Sequence, residues 1–153
     1  MLHRIKQFLG IEGIKIKLEI PAILAAKATH FDGILHIRTM NNQAVNSLRI
    51  GLYERYTRGR RGNKKTEEIL LGEIAIKENI QVLADEPLEI PFTLVFKRSL
   101  SQVDSLTRIP IAGKIAEVAK WIAGATSEFY VVAEANVKGT ALQPFDKVAI
   151  GFK

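Results

Sequence analysis

The sequence contains no cysteine among its 153 residues and no long run of apolar side chains. The absence of cysteine excludes disulfide bonds, thiolate zinc sites and cysteine nucleophiles, and it weakly favours a reducing compartment. No stretch approaches the roughly 18 apolar residues that a membrane-spanning helix needs. The N-terminal segment carries Arg4 and Lys6 but lacks the apolar core and the cleavage site of a secretory signal. We therefore expect a soluble, cytoplasmic protein.

Sequence motifs of enzymes are missing as well. The chain has no G-x-S-x-G nucleophile elbow and neither of the glycine-rich loops that bind nucleotide phosphates. Its histidines are His3, His30 and His36, and only the last two could share a metal ion, together with Asp32. Their spacing is unlike that of a zinc pair on a helix, and solvent-facing or hydrogen-bonded histidines are the simpler interpretation. We predict no catalytic residue, no cofactor and no metal site.

The composition predicts one globular domain over residues 1–153. Hydrophobic residues make up 47% of the chain and charged residues 25%, which is the usual balance of a folded domain. A domain of about 150 residues buries roughly 70% of the surface that its unfolded chain exposes, which is enough for one core.

The hydrophobic pattern predicts β-strands for most of the chain. In Ile14–Ile20 apolar and charged side chains alternate, as expected when one face of a sheet is buried. Pro91 within a later strand indicates a sheet edge or a bulge. The predicted strands are Ile14–Ile20, Phe31–Thr39, Ser47–Thr57, Glu67–Lys77, Leu88–Lys97, Phe129–Val137 and Phe145–Phe152. We therefore expect an all-β fold, an antiparallel immunoglobulin-like sandwich of seven or eight strands.

Two segments have the period of a helix instead. Residues 2–9 place apolar side chains on one side of a short helix that Gly10 would end. Residues 111–123 carry an apolar stripe at helical spacing between Pro110 and Gly124, and they predict an amphipathic helix laid against the sandwich. Trp121 lies beside that stripe, where it would either cover a sheet edge or mark an interface.

The net charge of +6 comes from one segment. Between positions 55 and 65 the chain has six basic residues and no acidic one, while its other 16 basic and 16 acidic residues cancel. The segment joins two predicted strands as a hairpin, and its cations could bind the phosphates of nucleic acid or of an acidic membrane. The alternative is a solvated hairpin tip that keeps strand edges from pairing. The candidate anion-binding residues are Arg55, Arg58, Arg60, Arg61, Lys64 and Lys65.

Four passages resemble the arrestin-like families, and in particular the N-terminal sandwich of the bacterial sporulation-control proteins of that fold. They are IKIKLEI, DGILHIRT, EIPFTLVF, and FYVVAEANVKG followed by ALQPFD, and they are spread over residues 14–152. Two features depart from the family pattern. Relatives carry two sandwiches in tandem, and the helix predicted over residues 111–123 interrupts the order of strands. The resemblance implies an arrestin-like scaffold or regulatory adaptor with no cofactor and no catalytic residue.

Two classes of function remain for such a chain. The first is a protein-binding adaptor, since the exposed edges of a sandwich can recruit an extended segment by strand addition. Its partner would be another protein, or a second copy of the chain that supplies the second sandwich. The second class is an anion-binding module that uses the basic hairpin. Binding through several cations falls steeply with salt through counterion release, whereas apolar contacts are nearly indifferent to salt.

Overall fold

The computed structural model describes residues 13–59, 65–98, 126–139 and 143–153. These residues form an all-β sandwich of two sheets, as predicted. Both predicted helices, over residues 2–9 and 111–123, lie outside the described residues, and so does Trp121. The strands are β1 Lys15–Glu19, β2 Ile23–Leu24, β3 His30–Arg38, β4 Gln43–Arg58, β5 Lys65–Ile76, β6 Ile80–Val82, β7 Leu88–Val95, β8 Thr126–Val137 and β9 Phe145–Phe152. Seven of them correspond to the predicted strands, and the two shortest, β2 and β6, were not predicted.

The two sheets differ in size and connectivity. The small sheet has the order β1-β3-β7 and is antiparallel throughout. The large sheet has the order β2-β9-β8-β4-β5, with β6 also paired to β4, and only its β2–β9 pair is parallel. Pro91 lies in β7 at the edge of the small sheet, which confirms the position predicted from its missing amide hydrogen. None of the described residues belongs to a helix long and apolar enough to cross a membrane.

The core lies between the two sheets and follows the alternation seen in the sequence. In β1, Ile16 and Leu18 are buried while Lys15 and Lys17 are exposed. Because successive side chains of a strand point to opposite faces, each strand contributes every second residue to the core. The largest fully buried apolar side chains are Leu35, Ile37, Val45, Leu48, Ile50, Leu52, Val82, Leu94 and Val131.

Backbone hydrogen bonds also tie one sheet to the other. Strand β5 has an extra residue, Leu71, where its register with β4 shifts, and the Leu71 carbonyl accepts a hydrogen bond from Lys97 N at 3.1 Å. The next residue is Gly72, and a Cβ there would clash with the carbonyl oxygen of Val95. Close contact between β5 and the end of β7 therefore depends on a bulge and on a residue without a side chain.

Candidate functional site

The predicted basic hairpin is present. Strands β4 and β5 pair antiparallel as far as Arg58 and Lys65, which face each other at its described end. Arg58 also lies 3.9 Å from the Glu67 carboxylate. Three of the six candidate residues, Arg55, Arg58 and Lys65, are in these strands, whereas Arg60, Arg61 and Lys64 lie outside the described residues. Anion binding by the hairpin as a whole stays a prediction.

Arg55 faces a tyrosine in the neighbouring strand β8. Its Cζ atom lies 5.5 Å from the centroid of the Tyr130 ring in β8. On the β9 side, Lys147 Nζ lies 4.1 Å from the same centroid. Tyr53 of β4 stacks on this ring with a centroid distance of 5.6 Å and an interplanar angle of 14°. We call Arg55, Tyr130 and Lys147 the Tyr130 site.

Strand register explains why these side chains meet. Tyr53 is directly opposite Tyr130, and Tyr130 is directly opposite Ala149 in β9. Residues two positions apart in a strand share a face, so Arg55 lies on the face of Tyr53, and Lys147 lies on the face of Ala149. The intervening residues of β4 and β8 point into the core, and the Tyr130 site is therefore on the outer face of the large sheet.

A third cation lines the same depression, but it contacts aromatic rings that pack against the core. Arg98 follows β7, its Cζ atom lies 4.5 Å from the ring centroid of Phe152, and its Nη1 donates a hydrogen bond to the Ala26 carbonyl at 3.0 Å. Arg98 and the Tyr130 site line one depression of about 830 Å³ at this end of the sandwich. Glu128 is the one acidic residue in that lining.

The cations of the depression differ from the neighbouring Arg49. Arg49 Nη2 donates a hydrogen bond of 2.9 Å to Glu73, and this bond raises the pKa of Arg49 above its ordinary value. By contrast, no carboxylate oxygen of the described residues lies within 4.0 Å of the charged groups of Arg55, Arg98 or Lys147. Within the described part of the chain, none of these three cations is neutralised by an ion pair.

The hydroxyl group of Tyr130 completes the site. Tyr130 is only 5% exposed, and its hydroxyl is buried without a hydrogen-bond partner among the described residues. Most buried polar groups in folded proteins are hydrogen-bonded, because an unpaired one costs about 1–3 kcal/mol. Within the described ranges, the Tyr130 hydroxyl is therefore an unpaired donor beneath the surface of the site.

The two described histidines, His30 and His36, are not arranged as the ligands of a metal ion. His36 Nε2 is hydrogen-bonded to Glu19 Oε2 at 2.8 Å, and its other ring nitrogen lies 3.7 Å from Glu89. His30 is exposed, and Asp32 accepts a hydrogen bond from Thr93. The described ranges contain no group of three or more histidine, aspartate or glutamate side chains that could hold a metal ion.

Sequence reasoning missed a buried acid. Glu54 is 2% exposed and accepts a hydrogen bond from Ser127 Oγ at 3.2 Å. It lies between Leu52 and Tyr56 in β4, and both of these side chains are buried. Strict alternation along β4 places Glu54 on the core face as well. The period of two was therefore the sequence signal that could have identified this buried acid.

The edges of three outer strands are protected. In β1 the Leu18 amide donates to the Asp146 carboxylate of the other sheet at 2.8 Å. Strand β2 has only two residues, and β7 contains Pro91 and continues to Lys97, which is bonded to β5. Short strands, proline and side-chain caps are common ways to prevent pairing with other chains.

Strand β5 is the exception. Its first half, Lys65–Leu70, has β4 on one side and no strand on the other among the described residues. Five of these six residues are exposed, and Ile69 is half-buried. Leu70 stands out as an apolar side chain that is 43% exposed. Among the described residues, no strand pairs with this outer edge of β5.

Comparison with known proteins identifies the fold. No family model matches the sequence, and no curated protein matches it either. The structure is similar to the crystal structure of the sporulation control protein Spo0M from Bacillus subtilis, with a TM-score of 0.64 and 13% sequence identity. The match covers 92% of this chain and 49% of Spo0M, so the chain spans about half the length of that protein. The arrestin-like sandwich expected from the sequence is therefore confirmed as the fold.

Proposed function

We propose that this protein is a non-catalytic, cytoplasmic adaptor that binds a protein partner by adding an extended segment of that partner to β5. The free edge of Lys65–Leu70 carries the proposal. The arrestin-like fold, shared with a sporulation control protein, supports a regulatory scaffold. The predicted absence of a catalytic site agrees with such a function.

Main-chain hydrogen bonds would supply most of the affinity. An edge strand presents amide hydrogens and carbonyl oxygens to a new strand, and side chains on alternate positions select the sequence. Thr66, Glu68 and Leu70 lie on the outer face of β5, and Glu67 lies on the opposite face. The partner that fits best is an extended segment with an apolar side chain beside Leu70 and a basic side chain beside Glu68.

Two neighbouring proline substitutions test this edge. Amide groups along a strand point alternately to the two sides, so one of Glu67 and Glu68 donates toward β4 and the other toward the open edge. We expect Glu67→Pro and Glu68→Pro to differ. One should lower the urea midpoint of unfolding by removing a bond to β4, and the other should keep the midpoint while removing partner binding.

The experiment uses a partner captured from the native cell with the full chain as bait. After purification, hydrogen exchange with and without that partner should show protection of the amides of Lys65–Leu70. The stable proline variant should recover at least about tenfold less partner, since several adjacent hydrogen bonds worth roughly 0.5–1.5 kcal/mol each are lost. Unchanged recovery by both variants, or protection confined to another strand, would contradict strand addition at β5. Self-pairing of the chain would appear as a dimer in sedimentation of the protein alone.

A further inference from the structure

We infer that the depression around the Tyr130 site binds a phosphomonoester group. This inference goes beyond the adaptor function, because the site lies on the outer face of the large sheet and not on the β5 edge. Its residues come from β4, β8 and β9, with Arg98 from the segment that follows β7.

The net charge of the depression indicates which class of ligand fits it. Three cations and one acid line the depression, which gives the lining a net charge of +2. A phosphomonoester carries a charge of about −1.5 to −2 at pH 7 and offers three acceptor oxygens. A carboxylate would neutralise only half of this charge. Dianionic phosphate therefore matches the site better than a monoanion.

The hydrogen-bond donors of the site lie close to the Tyr130 ring. Arg55 and Lys147 both contact the Tyr130 ring, so their charged groups are no farther apart than the sum of 5.5 and 4.1 Å. The arginine and the lysine are held beside a ring, and no described carboxylate lies within 4.0 Å of either charged group. Glu68 and Glu128 are directly opposite Arg55 in the neighbouring strands. The buried Tyr130 hydroxyl is a further donor, with no acceptor among the described residues. A phosphate group can accept hydrogen bonds from all three side chains.

The same geometry disfavours a nucleobase. Tyr53 stacks on the Tyr130 ring from β4, and Lys147 lies over the ring from β9 on the opposite side of β8. A base that stacked on Tyr130 would have to displace one of them. Single-stranded nucleic acid relies on such stacking, so the site favours an isolated phosphate group over a polynucleotide.

Titration with sodium phosphate and glycerol 3-phosphate tests the inference. In low-salt buffer at pH 7.5, we expect saturable binding by calorimetry and shifts of the Arg55 and Tyr130 amide resonances by NMR. The double variant Arg55→Gln/Lys147→Gln should bind at least about tenfold more weakly, because charge-assisted hydrogen bonds contribute roughly twice as much as neutral ones. Tyr130→Phe should also weaken binding while the urea midpoint of unfolding stays close to that of the wild type.

The matched control is Lys15→Gln/Lys17→Gln, which removes the same charge from exposed positions of β1 in the other sheet. This control should keep the wild-type affinity. Vesicles of phosphatidylcholine with and without phosphatidic acid distinguish a lipid headgroup from a free phosphate, and binding of either phosphomonoester supports the site. No binding to any of these probes, or equal loss in the control and site variants, would overturn the inference. Both proline variants of β5 that remain folded should still bind phosphate, so failure of one proposal is distinguishable from failure of the other.

Discussion

Replacing Leu35 by alanine is expected to lower the free energy of unfolding by about 2–5 kcal/mol. Leu35 is completely buried and lies in the middle strand of the small sheet, opposite Leu18 of β1 and Ile90 of β7. Its side chain faces the large sheet, and strands on both sides hold its backbone in place. The surrounding residues therefore have little freedom to close the cavity that alanine would leave, and the cost should be near the upper part of that range.

Urea denaturation followed by circular dichroism measures this change. Arg38→Ala is the matched control, because Arg38 is an exposed residue near the end of the same strand and its loss should cost no more than about 0.5 kcal/mol. A decrease of less than 1 kcal/mol for Leu35→Ala, on the order of the control, would show that the small sheet does not pack on the large one as described.

The period of two in the sequence was sufficient to predict the seven long strands. Pro91 indicated a sheet edge or a bulge, because proline has no amide hydrogen to donate to a neighbouring strand, and β7 is an edge strand. Strand ends were predicted less well. Strand β4 begins at Gln43 and not at the predicted Ser47, because β6 pairs with Gln43–Val45. Strand β6 has only three residues, and so short a segment has no periodic signal of its own.

The Tyr130 site could not be predicted for a different reason. Periodicity assigns Arg55 and Lys147 to the faces of their own strands, but it does not say which strands are neighbours. Only the pairing of β4 with β8, and of β8 with β9, brings them to one ring. The sequence analysis therefore identified Arg55 as part of the basic hairpin. It did not identify Arg98 and Lys147, which are distant from the hairpin in sequence.

The contact between β5 and β7 also joins residues that are distant in sequence, so periodicity does not predict it. The substitution Gly72→Ala tests this contact. We expect this substitution to lower the free energy of unfolding by about 1–3 kcal/mol, because the added methyl group has no room. A Cβ at Gly72 would overlap the Val95 carbonyl oxygen, and it would lie 2.9 Å from Phe96 Cβ. Both neighbours are close to the backbone, so relief requires that β7 move away from β5. That movement would strain the hydrogen bond from Lys97 to Leu71.

Gly151→Ala provides the control for Gly72→Ala. A Cβ at Gly151 would meet its nearest atom, the Ala22 carbonyl oxygen, at 3.7 Å, which is an ordinary contact, and the unfolding midpoint should stay near the wild-type value. Hydrogen exchange of the Lys97 amide should accelerate in Gly72→Ala and remain slow in Gly151→Ala, because only the first change separates the two strands. The Lys65–Leu70 amides that point to the open edge should exchange equally fast in both variants, since that half of β5 has no partner on its outer side among the described residues. Equal stability of the two variants would mean that β5 and β7 are not in close contact, and the open edge would then extend beyond Leu70.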